Sequence, residues 1–243
     1  MAALVQTARD ILVYRQKEGF LTVAADSLGG FGMKPGDAIQ VAPELCGRMT
    51  VRVCLMETLA VGAIPFSVTA LTCNEREPTG ARILSGIQAE LADSGYPDLS
   101  WGGSTEDNVP TNMTAIGITL LGECRRLSWR LAQPGDDVYL LGKPAVGEEV
   151  LANLAALPTP RQIRQLRENA CVGDVIPCGS RGIAWELHVL EEETGLHTRL
   201  TPGFDDSILG ESAGPATCAI FTSSKALEGF SGSVEKLGSL VRM

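Results

Sequence analysis

One stretch of the chain, residues 43–72, changes from a helical pattern to a strand pattern across a single glycine. Apolar residues, among them Leu45 and Met56, recur at helical spacing over residues 43–61, and Gly62 follows as a C-terminal stop. Residues 64–72, IPFSVTALT, then read as a strand. Strands and helices continue to alternate on both sides of this stretch, and that order predicts an α+β first half with helices on one face of a mixed sheet.

Two carboxylates lie in or beside these apolar segments. Glu57 lies in the middle of the mostly apolar helix, where a carboxylate is costly to bury unless it is paired, protonated or bound to a cation. The alternative is that Glu57 faces solvent or meets Arg52. Asp26 follows an apolar strand at residues 21–25 and faces a glycine-rich run, which is a common ligand arrangement and also a common way to begin a turn.

Residues 101–110, WGGSTEDNVP, concentrate polar groups between two segments that read as strands. Gly102 and Gly103 permit close approach of the backbone to a ligand, and hydroxyls, carboxylates and an amide are ligands for a hard cation or a phosphate. An ordinary polar hairpin loop is the alternative. The side chains that would bind are those of Ser104, Thr105, Glu106, Asp107 and Asn108.

The other patterns divide the chain into two halves. Residues 2–16 read as a short amphipathic helix, a second helix begins at Pro78, and residues 114–122 read as a strand. Residues 125–134 are locally basic and rich in turn formers, and we place the domain boundary there, after residue 130.

The second half, residues 131–243, begins with the strand VYLLG and ends in a small, polar, weakly periodic stretch that could hold a terminal helix. Between these ends the patterns predict helices over residues 147–156, 160–170 and 181–194, and strands over residues 172–176, 197–200 and 217–222.

Charge and cysteine content exclude some classes of function. A formal net charge of -9 argues against a broad nucleic-acid surface, which needs clustered lysine and arginine, although a bound divalent metal would still allow a nucleotide. Seven scattered cysteines without a C-x-x-C pair, together with only two histidines, argue against a zinc site. No apolar run approaches the length of a membrane span and no signal peptide is found, so we expect a cytoplasmic protein without membrane contacts.

Four features, in order, resemble the superfamily of aminoimidazole ribonucleotide synthetase (PurM), selenophosphate synthetase, thiamine monophosphate kinase and the hydrogenase maturation protein HypE. The first is the strand-borne Asp26. The second is CLMETLAVGAIP, in which Glu57 takes the place of the family's acidic residue before a Gly-Ala turn. The third and fourth are WGGSTEDN, similar to a Gly-Gly-acid-Thr loop, and PGDDVYLLGKP, similar to the motif that opens the second domain. Within the superfamily, MET-LAVGA-IP with GSTE-N most resembles the α-ribazole kinase branch.

The resemblance implies a two-domain PurM-like architecture. Residues 1–130 would form an N-terminal domain for ATP binding, metal binding and dimerisation, and residues 131–243 a shortened α+β C-terminal domain. It also implies ATP with Mg²⁺ in a cleft, a small-molecule substrate, and a homodimer joined through the N-terminal sheets.

The resemblance also assigns roles to residues. Asp26, Glu57 and Glu106 become the catalytic, magnesium-binding carboxylates, with Asp107 as a further metal ligand. Arg52 or Lys34 could balance phosphate charge, although surface ion pairing is the alternative for both. Arg181, at a helix start, would contact an anionic group of the substrate. The remaining cofactor contacts would come from Gly102, Gly103, Ser104, Thr105 and Asn108.

Departures from the family motifs leave the activity open. Ser104 stands where the family has an acid, Arg181 replaces the Asp of a Ser-Asp-Gly motif, and Pro215-Ala216 replaces Glu-Asp. The first hypothesis is an ATP- and Mg-dependent phosphotransferase acting on a small molecule, such as the nucleoside α-ribazole. The alternatives are a catalytically reduced nucleotide-binding protein of the same fold, and an ATP-dependent cyclo-ligase similar to aminoimidazole ribonucleotide synthetase.

Overall fold

A computed structural model describes residues 3–242. The first half forms a six-stranded sheet with the strand order β1-β2-β3-β8-β6-β7, in which β6 and β7 are parallel and the other neighbours antiparallel. A short parallel pair, β4 and β5, lies apart from it. The elements are β1 (Ala3–Val5), β2 (Ile11–Gln16), β3 (Gly19–Gly29), β4 (Phe31–Gly32), β5 (Ile39–Gln40), α1 (Pro43–Ala60), β6 (Ile64–Thr72), α2 (Ala81–Asp93), β7 (Ser100–Ser104) and β8 (Ala115–Cys124).

The second half forms a five-stranded antiparallel sheet with the strand order β10-β12-β9-β13-β11. Its elements are β9 (Asp137–Gly142), α3 (Glu148–Ala152), α4 (Pro160–Glu168), β10 (Val172–Pro177), α5 (Gly182–Thr194), β11 (Leu196–Leu200), β12 (Cys218–Ser223) and β13 (Val234–Arg242).

Helix α1 is shared by the cores of both sheets. One side of it, including Leu55, packs with Ile118 and Leu120 of the first sheet. The other side, including Met56, packs with residues of α4 and β10. At Gly86 of α2, an added Cβ would collide with the backbone of α1, so the two helices approach closely there. The α+β architecture with helices on one face of a mixed sheet is therefore confirmed, while the domain boundary at residue 130 stays a prediction.

The sequence interpretation was wrong at both ends of the chain. Ala2 lies outside the described residues, and residues 3–16 form β1 and β2 instead of a helix. In β2, Ile11 and Val13 are buried whereas Leu12 is half exposed, which is the alternation of a strand. The proposed terminal helix is β13, a strand paired with both β9 and β11. A strand cannot satisfy its backbone hydrogen bonds alone, so pairing with other strands decides the conformation of both segments.

The central predictions agree with the structure more closely. The helix expected over residues 43–61 is α1, and the strand expected over residues 64–72 is β6. The helix expected to begin at Pro78 begins at Ala81, after an irregular turn. Among residues 3–242, no helix is both long and apolar enough to cross a membrane. The cytoplasmic location stays a prediction.

Candidate functional site

A cavity of about 690 Å³ lies where elements of the two halves meet. Asp26 of β3 and Glu57 of α1 both line it, so the structure brings together two of the three carboxylates proposed as catalytic. The second half contributes the loop that follows β10, which contains Gly179 and Ser180, and the loop before β12, which contains Gly214. A volume of this size is typical of sites for small molecules and cofactors.

One stripe of α1 runs the length of the cavity. Leu45, Met49, Val53 and Glu57 are spaced four residues apart and all four line it. Because a helix rises 1.5 Å per residue, Leu45 and Glu57 stand roughly 18 Å apart along the axis. The cavity is therefore elongated, with an apolar wall at the start of α1 and a carboxylate at its end.

Asp26 faces the helix side of the first sheet. It lies within β3, two residues after the fully buried Ala24, so both side chains point to the same face. Burial raises the pKa of Asp26 to about 6, and a hydrogen bond from the Ser27 backbone opposes that rise. A carboxyl group that titrates near neutral pH in a cavity is a common property of functional sites.

Glu57 is buried among other acids. Burial raises its pKa well above the ordinary value, and the charges of Glu186 and Asp10 raise it further. Glu186, on α5, has its own pKa raised to about 7, mainly by burial and then by Asp10. Asp10 lines the cavity itself. The polar end of the cavity thus gathers four carboxyl groups, from Asp10, Asp26, Glu57 and Glu186.

Sequence reasoning missed Asp10 and Glu186. Asp10 lies in the segment that was interpreted as a helix. Glu186 lies in α5, which does form a helix, but it is buried whereas the neighbouring Glu192 is exposed. The departure of β2 from a helical pattern is the only sequence signal for Asp10, and we find none for Glu186.

Two loops of the second half face each other across the polar end. A Cβ added to Gly214 would lie 3.8 Å from the backbone nitrogen of Ser180, and one added to Gly179 would lie 3.6 Å from the Oδ2 atom of Asp10. Within residues 3–242, neither the N–H nor the hydroxyl of Ser180 donates to another residue. These loops therefore leave backbone and hydroxyl groups free to contact a ligand.

Residues 101–110 lie elsewhere. Residues 101–104 belong to β7, the exposed edge strand, rather than to a loop, and none of the ten lines the cavity. Asp26 is in register with Ile118, Ala70 and Gly103 across the sheet, which puts Gly103 three strands, roughly 14 Å, from Asp26. The proposed cofactor residues Gly102, Gly103, Ser104, Thr105 and Asn108 are all at this edge.

The acids of this edge segment bind their own loop. Glu106 accepts hydrogen bonds from the backbone N–H groups of Asn108 and Val109, at 2.8 and 3.3 Å. Asp107 accepts from the Arg76 N–H and from the Thr105 hydroxyl, and these two hydrogen bonds lower its pKa. The structure therefore does not bring Glu106 or Asp107 to Asp26 and Glu57, and their metal-binding roles stay predictions.

None of the three cations considered for the site lines the cavity, and two of them are paired with acids away from it. Arg52 donates twice to the buried Glu90, at 2.7 and 3.0 Å, and so joins α1 to α2. Lys34 forms an ion pair with Glu75 at 2.7 Å. Both contacts are those expected if Arg52 and Lys34 form ion pairs with acids instead of balancing the charge of a phosphate. Arg181 is placed differently, because its Nη2 atom lies 3.0 Å from Oδ1 of Asp10, which lines the cavity.

Solved structures share this architecture throughout the chain. The thiamine monophosphate kinase of Aquifex aeolicus is 15% identical over 93% of this chain and 87% of its own, with a TM-score of 0.67. AaThiL complexed with AMPPCP and TMP is 14% identical over 97% and 85%, with a TM-score of 0.68. The PurL protein of Thermotoga maritima complexed with ATP is 18% identical over 96% of this chain but 37% of its own, with a TM-score of 0.59.

The chain has the PurM-like fold. No protein-family model matches the sequence, and no curated protein matches it either. Identities below 20% establish the fold alone, so the chemistry of the cavity depends on this chain's own residues.

The carboxylates of the cavity could supply only some of the ligands of a Mg²⁺ ion. Among residues 3–242, no group of three or more Asp, Glu, His or Cys side chains is arranged to hold a metal ion. Mg²⁺ is commonly held by one or two carboxylates together with water and substrate phosphates, however. Asp26 and Glu57 therefore fit a cation that enters with a phosphate ligand.

The raised pKa of Glu186 predicts how stability depends on pH. Between about pH 4.5 and 7 the unfolded chain loses this proton before the folded protein does, so folding stability falls as pH rises. With a chelator present, Glu186→Gln is expected to gain on the order of 2 kcal/mol over the wild type between pH 5 and pH 8. Urea unfolding at both pH values measures this gain. Glu192→Gln, which changes an exposed residue of the same helix, is the control, and an equal difference at both pH values would contradict the prediction.

Proposed function

We propose that the protein is an ATP- and Mg²⁺-dependent phosphotransferase that acts on a small molecule. One observation carries the proposal: a single cavity of about 690 Å³ holds Asp26 and Glu57 together with the loops at Ser180 and Gly214. The fold supports it, because structures with the same architecture include a kinase complexed with AMPPCP and TMP.

The charge of the cavity explains why a metal would be needed. A triphosphate would be repelled by the carboxylates at the polar end unless a cation lay between them. Asp26 and Glu57 would hold Mg²⁺, which would neutralise phosphate charge when bound. The free N–H and hydroxyl of Ser180 would donate to phosphate oxygens, and the apolar side chains of Leu45 and Met49 would contact the base.

The phosphate acceptor is a narrower proposal. The sequence resemblance to the α-ribazole kinase branch suggests a nucleoside, whose hydroxyl would be positioned next to the phosphate at the polar end. Catalysis of phosphoryl transfer depends mostly on such positioning and on charge stabilisation, so few residues need to be reactive themselves.

A nucleotide-binding protein without catalytic activity is the second candidate. The placement of Glu106 and Asp107 favours it, because these acids lie at the β7 edge, hydrogen-bonded to their own segment and to Arg76, and leave two of the proposed metal-binding carboxylates in the cavity. Ser104 strengthens this reading, since a serine stands where the family motif has an acid.

Ligand binding and product analysis distinguish these functions. We expect ATP with Mg²⁺ to raise the melting temperature, because a ligand that binds only the folded state stabilises it. Incubation with α-ribazole and other nucleosides should then give a phosphorylated product. Binding without any product from the panel would support the second candidate, ring closure of a substrate would indicate a cyclo-ligase, and no stabilisation by ATP would contradict both proposals.

We also propose that the chain forms a homodimer through the outer face of the first sheet. That face carries exposed apolar side chains, with Leu4, Leu12, Ile64 and Leu71 exposed by 49, 50, 65 and 51%. Contiguous exposed apolar surface of this kind commonly marks an interface. Sedimentation equilibrium should therefore give the mass of two chains, and Leu12→Glu should shift it toward that of one. The mass of a single wild-type chain at micromolar concentration would contradict the proposal.

A further inference from the structure

Among the described residues, the walls of the cavity carry carboxyl groups and no basic side chain. Asp10, Asp26 and Glu57 line it, and none of the described residues that line it is Lys, Arg or His. Glu186 lies just behind the wall, where its Oε1 atom accepts a long hydrogen bond from the Gly179 N–H. Any cationic side chain that reaches this end must therefore come from its rim.

The nearest buried arginine is already committed to other acids. Arg9 precedes Asp10, but its guanidinium donates to Asp174 at 2.5 Å and to Glu193 at 2.9 Å, and its side chain is 1% exposed. It cannot turn toward the cavity without breaking both ion pairs. Arg9 therefore acts on the acids of the cavity only from a distance, where its charge partly opposes the rise in the pKa of Glu57 and of Glu186.

Arg181 is differently placed. Its Nη2 atom donates to Oδ1 of Asp10 at 3.0 Å, and its guanidinium carbon lies 3.9 Å from the centre of the Trp185 ring. The side chains of Arg181 and Asp10 are 47 and 59% exposed. Of the five N–H groups of the guanidinium, only this one donates to another residue within the described chain. The Trp185 ring and the Asp10 carboxylate thus orient the guanidinium of Arg181, while most of its N–H groups make no hydrogen bond to another described residue.

We propose that Arg181 is the built-in counter-ion of the cavity and competes with a divalent cation for Asp10. The inference rests on the proposed function, since it requires that a divalent cation binds here. An exposed ion pair is worth little, so a divalent cation can replace the guanidinium on Asp10 at small cost. Arg181, once released, is the positively charged side chain available to the anionic oxygens of a nucleotide at this rim.

The proposal predicts effects of opposite sign from one substitution. Arg181→Gln removes the competitor, so Mn²⁺, used as a probe for Mg²⁺, should bind about fivefold more tightly. The same variant should bind AMPPCP about tenfold more weakly at saturating Mg²⁺, because it lacks the guanidinium. Calorimetric titrations with Mn²⁺ alone and with AMPPCP measure both effects without any turnover.

The control variant is Arg164→Gln. Arg164 also stacks on an aromatic ring, that of Tyr96, and also pairs with an acid, Glu168, but it lies on α4 away from the cavity. This variant loses a positive charge, as Arg181→Gln does, but away from the cavity. Its affinities for Mn²⁺ and for AMPPCP should therefore match those of the wild type. Arg181→Lys keeps the charge without the planar group and should fall between the wild type and Arg181→Gln.

The outcomes separate this proposal from the proposed function. If Mn²⁺ binds the wild-type protein and Arg181→Gln with equal affinity, Arg181 is not a competitor and the counter-ion proposal is overturned. If both affinities fall in Arg181→Gln, the residue only supports binding and the proposal is again overturned. If neither Mn²⁺ nor AMPPCP binds the wild-type protein, the proposed function itself fails.

Discussion

Glu57→Gln is expected to reduce Mg²⁺-dependent ATP turnover at least about 100-fold while leaving the protein folded. Burial of the Glu57 carboxyl group, together with the charges of Glu186 and Asp10, raises its pKa and so favours the protonated form. Glutamine has the shape and the neutral charge of that protonated side chain, and the fold should therefore accept it. A glutamine cannot supply a carboxylate to a cation, and the proposed phosphate site would lose one of its two metal-binding groups.

Turnover and melting temperature, measured together, decide the result. We expect the melting temperature of Glu57→Gln at pH 8 to equal or exceed that of the wild type, because the variant has no buried acid to ionise. Glu192→Gln removes an exposed carboxylate from α5 and should leave turnover unchanged. Wild-type turnover in Glu57→Gln would exclude Glu57 from the site, and a lowered melting temperature would show that its role is structural.

The sequence singled out Glu57 because the signal was local, although its metal-binding role stays a prediction. A carboxylate within an apolar helical stripe conflicts with its own surroundings, and the structure places it at the end of the stripe that lines the cavity. The prediction for Asp26 depended on a strand pattern, and it too lines the cavity. In both cases the deciding information lay within about ten residues of the side chain.

The remaining features of the cavity depend on contacts between distant parts of the chain. Asp10 reaches it because β2 pairs with β3, and the two-residue turn that joins them before Gly19 follows directly on the segment that was interpreted as a helix. Ser180 and Gly214 are brought together by the pairing of β10 with β12. Periodicity reports only which face of an element is buried, so it cannot indicate which elements are neighbours.

For residues 101–110, the local sequence signal predicted a binding role, but none of these residues lines the cavity. Their composition suits a phosphate and metal site, and the same composition also satisfies a turn from within. Glu106 and Asp107 bind backbone N–H groups of their own segment and of Arg76, which is what acidic side chains do in many turns. Sequence alone cannot separate these roles, because both use the same oxygen atoms.

Arg9→Met is expected to destabilise the protein by about 3 kcal/mol. Arg9 joins the first half of the chain to the second through Asp174 and Glu193, and it also donates to the carbonyl oxygen of Val175 at 2.9 Å. Asp174 would keep three backbone donors, including the Arg130 N–H, if Arg9 were removed. The main cost therefore falls on Glu193, which would lose its close ion pair while its side chain is 2% exposed.

A double-mutant cycle with Glu193→Gln tests this assignment. Without Arg9, Glu193 keeps only the Thr7 hydroxyl and the more distant Arg130 guanidinium, at 3.8 Å. If the charge of Glu193 causes the loss, Arg9→Met combined with Glu193→Gln should be less destabilised than the sum of the two single variants, by more than about 1 kcal/mol. Urea unfolding of the four proteins at pH 7 gives the coupling. Additive effects would mean that Arg9 acts through packing against Trp129 rather than through the acid. A non-additive result would show that the buried Arg9–Glu193 ion pair holds the segment that carries Asp10 against the second half of the chain. This ion pair would then be what places Asp10 at the acidic end of the cavity.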